Sequence, residues 1–160
     1  MCLPYIDVLF GIEPYHLWKD EQDHQTGDVK DGVSFQPDFK QQDEVFHGFV
    51  KRYPNIKCIA RHVRYAHSCS ENSLMAYLWY DGKTYESQKL RFHILDRVGG
   101  GDAFVSGIIY ALMNEYKPQD IADFGVAASA VKHTIHGDGN ITDDVSLIEH
   151  IMQMNFDIKR

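Results

Sequence analysis

The chain has 160 residues, 44% of them hydrophobic, and a formal net charge of -7. That length supports one domain with a real core. The acidic balance disfavours a nucleic-acid or anionic-membrane binder, which would carry a basic face. No apolar run approaches the roughly 18 residues of a membrane span. Met1-Cys2-Leu3-Pro4 lacks the basic segment and apolar core of a secretory leader. Cys2, Cys58 and Cys69 are odd in number, widely spaced and free of any Cys-x-x-Cys. They read as free buried thiols in a reduced, cytoplasmic setting.

In chain order, Ile6-Asp7-Val8-Leu9-Phe10 reads as a short buried strand. Gly11-Ile12-Glu13-Pro14 turns into a brief helix through Trp18. Residues 19–40 are polar, carry Gly27, Gly32, Pro37 and many acids, and read as a solvated surface loop. A helix is predicted from about 41 to 52, with Val45, Phe46, Phe49 and Val50 inward. Ile56 to Ala60 forms the next strand. Arg61, His62, Arg64 and His67 then stand at its C-terminal end, where open α/β sheets bind ligands. Residues 72–80 read as a strand, Asp81-Gly82 as a hairpin turn, and 83–90 as the returning strand. Helices are predicted from the glycine run at 99 to about 114, from 118 to 133, and from 143 onward.

The most informative stretch is Asp96-Arg97-Val98-Gly99-Gly100-Gly101-Asp102-Ala103-Phe104-Val105-Ser106-Gly107. Phe104, Ile108, Ala111 and Leu112 recur behind the glycines at helical spacing. A glycine-rich turn feeding a helix N-terminus leaves backbone N–H groups unpaired at the positive end of the helix dipole. That is an anion site. Asp102 has two local readings: a helix cap, or a general base beside a bound phosphate.

This stretch resembles the C-terminal signature of the PfkB, or ribokinase-like, family of carbohydrate kinases, usually Asp-Thr-Thr-Gly-Ala-Gly-Asp-x-Phe. Downstream, Ala127-Ala128-Ser129-Ala130-Val131-Lys132-His133-Thr134-Ile135-His136-Gly137-Asp138-Gly139-Asn140 is similar to the family's 2-keto-3-deoxygluconate kinase branch. There an alanine-rich helix runs into a Gly-Asp-x-Asn turn. The resemblance implies an α/β fold, the C-terminal part of a ribokinase-like three-layer α/β/α sandwich, over residues 1–160. It covers only the C-terminal half of the family's fold. The other glycine-rich signature, the lid strands through which the family commonly oligomerises, and much of the sugar pocket have no counterpart here.

The same resemblance implies transfer of the ATP γ-phosphate, with Mg²⁺, to a hydroxyl of 2-keto-3-deoxygluconate. Gly99, Gly100 and Gly101 would form the anion hole and Asp102 the catalytic base. Asp96 would help ligate a monovalent cation, although Arg97 replaces the small residue usual beside it. Arg61 or Arg64 would touch the nucleotide, Ala127 and Ala128 would border the adenine, and Asp138 would lie near the sugar acid. The family's Asn-x-x-Glu motif, which supports magnesium and phosphate, is absent: its equivalent positions are Ile12 and Tyr15, with Glu13 a weak substitute.

Other chemistries are less well supported. No Gly-x-x-x-x-Gly-Lys-Ser/Thr or Gly-x-Gly-x-x-Gly occurs, nor a Gly-x-Ser-x-Gly elbow. His133 and His136 have metal-ligand spacing without evident closing ligands. The rival readings are another PfkB kinase, acting on fructose or a related sugar, and a catalytically silent nucleotide-binding fragment.

Overall fold

The computed structural model describes residues 3–11, 38–140 and 144–153. Glu13 and most of the expected 19–40 loop lie outside the described residues. A single 3-10 turn, Leu3–Tyr5, precedes β1 (Val8–Phe10). Helix α1 (Phe39–Arg52) starts two residues before its apolar stripe suggests. The reason is a capping box. The Asp38 carboxylate accepts from the Gln41 N–H at 2.8 Å, and the Gln41 side chain accepts from the Asp38 N–H at 3.3 Å.

The described strands form one five-stranded sheet. β1 runs parallel to β2 (Cys58–Ala66), with Val8 opposite Cys58 and Phe10 opposite Ala60. β2 pairs antiparallel along its whole length with β3 (Glu71–Tyr80). The expected strand ended at Ala60. It continues because a strand needs only alternate residues to face a core: Ile59, Arg61 and Val63 face one layer, Ala60, His62 and Arg64 the other. Both faces of β3 are covered, so Asn72 to Trp79 is buried without alternation.

Asp81 and Gly82 both take positive φ, 49° and 80°, as a tight two-residue hairpin requires. The expected single return strand is two: β4 (Lys83–Glu86) and β5 (Leu90–His93). Both pair with the same edge of β3, with Tyr77 opposite Glu86 and Leu74 opposite Leu90. Met75 and Ala76 therefore face Ser87, Gln88 and Lys89, a bulge of one extra residue. The Ser87 hydroxyl fills the gap, accepting from the Ala76 N–H at 2.8 Å.

The period of two sorts the strands into two cores. Ile59, Val63, Met75, Tyr77 and Trp79 pack on Val45, Phe46 and Phe49 of α1. Cys58, Ala60, Leu74, Ala76, Leu78 and Leu90 pack on the other layer. That layer holds α2 (Gly100–Met113), α3 (Pro118–Lys132) and α4 (Val145–Gln153). The result is the expected three-layer α/β/α arrangement. Helices α2 and α3 touch through small residues. A Cβ on Gly107 would stand 2.8 Å from the Ala128 methyl, and one on Gly125 2.6 Å from Ile108. Of the cysteines, Cys58 is buried as expected, and burial pushes its thiol up to about 12. Cys69 is exposed, because it lies in the short β2–β3 connection rather than in a strand.

Candidate phosphate site at the start of helix α2

Gly99 is the N-cap of α2, with φ 78° and no side chain to offer the helix. The first bond into the helix runs from the Ala103 N–H to the Gly99 carbonyl at 2.9 Å. The N–H groups of Gly100, Gly101 and Asp102 therefore open the helix without an intrahelical acceptor. Asp102 is the third helical residue and is exposed. It is not the cap, so one of its two local readings falls away.

The three glycines are required for different reasons. Gly99 needs its left-handed backbone, and a Cβ there would meet the Asp138 carbonyl at 2.8 Å and Lys132 Cε at 3.0 Å. A Cβ on Gly100 would strike the His133 ring at 2.3 Å. At Gly101 nothing among the described residues lies within 4 Å. That position is open space beside free N–H groups.

The turn is held from behind by the end of α3. The Ser129 hydroxyl donates to the Gly100 carbonyl at 2.8 Å. His133 Nδ1 lies 2.7 Å from the Ser129 carbonyl, which can only accept, so Nδ1 carries the proton. The His133 carbonyl accepts from the N–H groups of Leu95 and Asp96. The Asp96 carboxylate accepts from Val98 N–H at 3.0 Å and Gly137 N–H at 2.8 Å. Those backbone donors hold the Asp96 carboxyl below the usual carboxylate range. Asp138 is thereby seated against Gly99, which brings together two sequence candidates that lie far apart along the chain.

In front of the turn lies a cleft of about 300 Å³, lined by His62, Arg64, Leu74, Arg97, Gly101 and His133. Two guanidinium and two imidazole groups line it, and among the described residues no carboxylate does. The His62 ring packs against Phe104 of α2, with centroids 4.8 Å apart and planes tilted by 55°. Desolvation, and after it the positive charges of His133, Arg64 and Arg61, push the His62 pKa below 6.5. The residue keeps open surface, so its ring is dry on the Phe104 side and wet on the cleft side. Desolvation is also the main cause lowering His133, ahead of Arg64, Lys132 and Arg97. The lesser part of both shifts, from the neighbouring positive charges, is the part that favours a bound anion.

The sequence candidates separate accordingly. Arg64 lines the cleft, whereas Arg61 does not. One residue out of phase on β2, Arg61 is 8% exposed on the α1 face and donates to Gln42 Oε1 at 2.8 Å. Ala127 and Ala128 are 0% and 4% exposed and serve the helix packing instead of an open surface. His136 is exposed, and among the described residues no group of three or more His, Cys, Asp or Glu gathers as a metal cage. His62 was missed as a site residue, although its spacing of two from Arg64 on a strand carried the signal. Arg97, read only as a disturbance to a cation site, is a cleft wall, and it donates to the Cys69 carbonyl at 3.2 Å.

Residues 75–144 match the model of a family described as pfkB family carbohydrate kinase. Over 71 residues the chain is 31% identical to the 5-dehydro-2-deoxygluconokinase of Clostridium botulinum (strain Alaska E43 / Type E3), covering 44% of this chain and 20% of that protein. The fold superposes on the 2-dehydro-3-deoxygluconokinase of Thermotoga maritima with a TM-score of 0.75 and 27% identity. That match covers 94% of this chain and 42% of the other. A PfkB family carbohydrate kinase from Listeria grayi gives a TM-score of 0.69 and 26% identity, with 94% and 42% covered. The chain thus spans less than half the length of these solved relatives, and its match to the curated relative spans about a fifth of that protein.

Proposed function

We propose that this chain, similar to the pfkB carbohydrate kinases over residues 75–144, supplies the phosphoryl-transfer side of an ATP-dependent sugar kinase. One observation carries the proposal. The free N–H groups that start α2 lie at a cleft walled by Arg64 and Arg97, with an exposed carboxylate, Asp102, in the same helical turn.

The chemistry follows from that arrangement. The γ-phosphoryl group spreads negative charge over its outer oxygens during transfer. The N–H groups of Gly100, Gly101 and Asp102 and the two guanidinium groups are fixed in advance to meet that charge. Asp102 accepts the proton of the sugar hydroxyl as its oxygen bonds to phosphorus and the bond to the β-phosphate oxygen breaks, releasing ADP. Mg²⁺ carried by ATP would add further charge neutralisation. The lack of a dedicated acidic cage among the described residues suits an ion held chiefly by phosphates and water.

For the acceptor, we favour 2-keto-3-deoxygluconate, phosphorylated at its terminal hydroxyl. The 2-dehydro-3-deoxygluconokinase likeness is one of fold, at 27% identity over 94% of this chain, and the alanine-rich helix running into Gly137-Asp138-Gly139-Asn140 agrees with it; the 5-dehydro-2-deoxygluconokinase likeness is one of sequence, at 31% identity over 44%. Both names describe a keto-deoxy-gluconate, so a sugar acid is common to them. Asp138, seated beside Gly99, would accept from a hydroxyl of that acid.

A second reading, a chain that binds ATP without turning it over alone, has its own support: this chain aligns to only 42% of a solved kinase. ATP consumption separates the two, with 2-keto-3-deoxygluconate, 5-keto-2-deoxygluconate and fructose offered one at a time. Saturable turnover with the first acid supports the kinase as proposed. Turnover with fructose alone overturns the acceptor. ATP binding without turnover supports the second reading.

A further inference from the structure

Lys132 closes α3, and its side chain is 0% exposed. Burying an ammonium is costly unless its protons are accepted. Here Nζ donates to the Gly137 carbonyl at 2.7 Å and the Ile135 carbonyl at 3.3 Å. Among the described residues no carboxylate stands within ion-pair distance of it. Its stem passes under the phosphate turn, with Cε 3.0 Å from where a Gly99 Cβ would be. The carboxylate of Asp96, bonded to the N–H of the same Gly137, lies close enough to feel its charge.

The resemblance implies that Asp96 would help ligate a monovalent cation, and the residues present do not fit one. Both Asp96 oxygens already accept from backbone N–H groups. The carbonyl oxygens at hand, Ile135 and Gly137, accept from a lysine. A cation ligated by those same oxygens would stand within a few ångström of the ammonium, and the two like charges would repel.

We infer that Lys132 is the cation of this site, supplied by the chain itself, and that it holds the 135–138 loop against the phosphate turn without any bound monovalent ion. In this role Lys132 is a positioning residue. Its bearing on phosphate transfer rests on the proposed kinase function. Its replacement of an inorganic ion does not.

Thermal unfolding of the chain tests the inference with neither nucleotide nor sugar present, so a failed kinase reading leaves it intact and the reverse also holds. Potassium chloride is compared with tetramethylammonium chloride at equal ionic strength. The wild type is expected to unfold at the same temperature in both salts. Lys132→Ala empties the nest, and it is expected to lose several degrees in tetramethylammonium and to recover part of the loss in potassium. Lys132→Met fills the same space without charge, and it is expected to lose several degrees in both salts. A wild type stabilised by potassium overturns the inference. So does an alanine variant that gains no more from potassium than the methionine variant. If neither variant folds, thallium(I) NMR on the wild type decides: a bound, potassium-competed signal overturns the inference, and its absence upholds it.

Discussion

Gly100 and Gly101 are neighbours with opposite surroundings, and their variants should part company. Gly100→Ala drives a methyl group into the His133 ring and should cost about 1–3 kcal/mol of stability by overpacking, read as a lower urea midpoint with an unchanged slope. Gly101→Ala meets open space and should fold as stably as the wild type. Its methyl group stands where a phosphate would approach, so ATP affinity should fall in calorimetry. Wild-type affinity in that variant would move the phosphate elsewhere. Asp102→Asn keeps shape and loses the proton acceptor. In whatever form of the protein turns over, kcat should drop by roughly 10²–10⁴ while ATP still binds. Wild-type rates in that variant would remove Asp102 from the role of base. The helix start at Gly99, with Asp102 in its first turn, was legible because a glycine run ahead of an apolar period marks a helix start. The separate reasons for the three glycines were not, because His133 and Asp138 reach them only through the fold.

Strand β2 sets the electrostatics of the cleft, and its alternation is the element-scale test. Arg64→Ala should weaken ATP binding by about tenfold or more, the loss of a charge-assisted contact. Arg61→Ala, on the other face, should leave binding unchanged and lower stability. The histidines add a pH signature. In the fold, His62 and His133 are held below 6.5, so the unfolded chain binds protons that the folded chain refuses. Their contribution is therefore fully present above about 6.5 and is lost as pH falls through the folded-state values. Urea unfolding on either side of 6.5 should show that loss. Arg64→Ala should raise the His62 value toward 6.5 in an NMR titration. The alternation was hard to see in advance because Arg61 to Arg64 reads as a polar end to a strand. Pairing with β3 carries the strand to Ala66 regardless. Likewise the Asp38-x-x-Gln41 box straddled the boundary between the segment read as loop and the helix read from 41, and the bulge at Ser87 depends on a cross-strand register that no single strand encodes.

At the scale of the molecule, strands and helices were readable from apolar periods of two and 3.6, and the three layers were implied by the resemblance between Asp96 and Gly107. What periodicity could not show is that β5, the α2 turn and the loop after α3 converge on one place. That convergence depends on His133, Ser129, Asp96 and Lys132, each linked to residues distant in sequence. The central claim is that this convergence builds a phosphate site on the N–H groups of α2. It is tested most directly by titrating the ¹⁵N-labelled chain with ATP and following its amide signals, since binding needs no turnover. The account predicts that Gly100, Gly101 and Asp102 shift most, joined by the side-chain signals of Arg64 and Arg97. Saturable shifts clustered elsewhere, with those three amides unmoved, would contradict it.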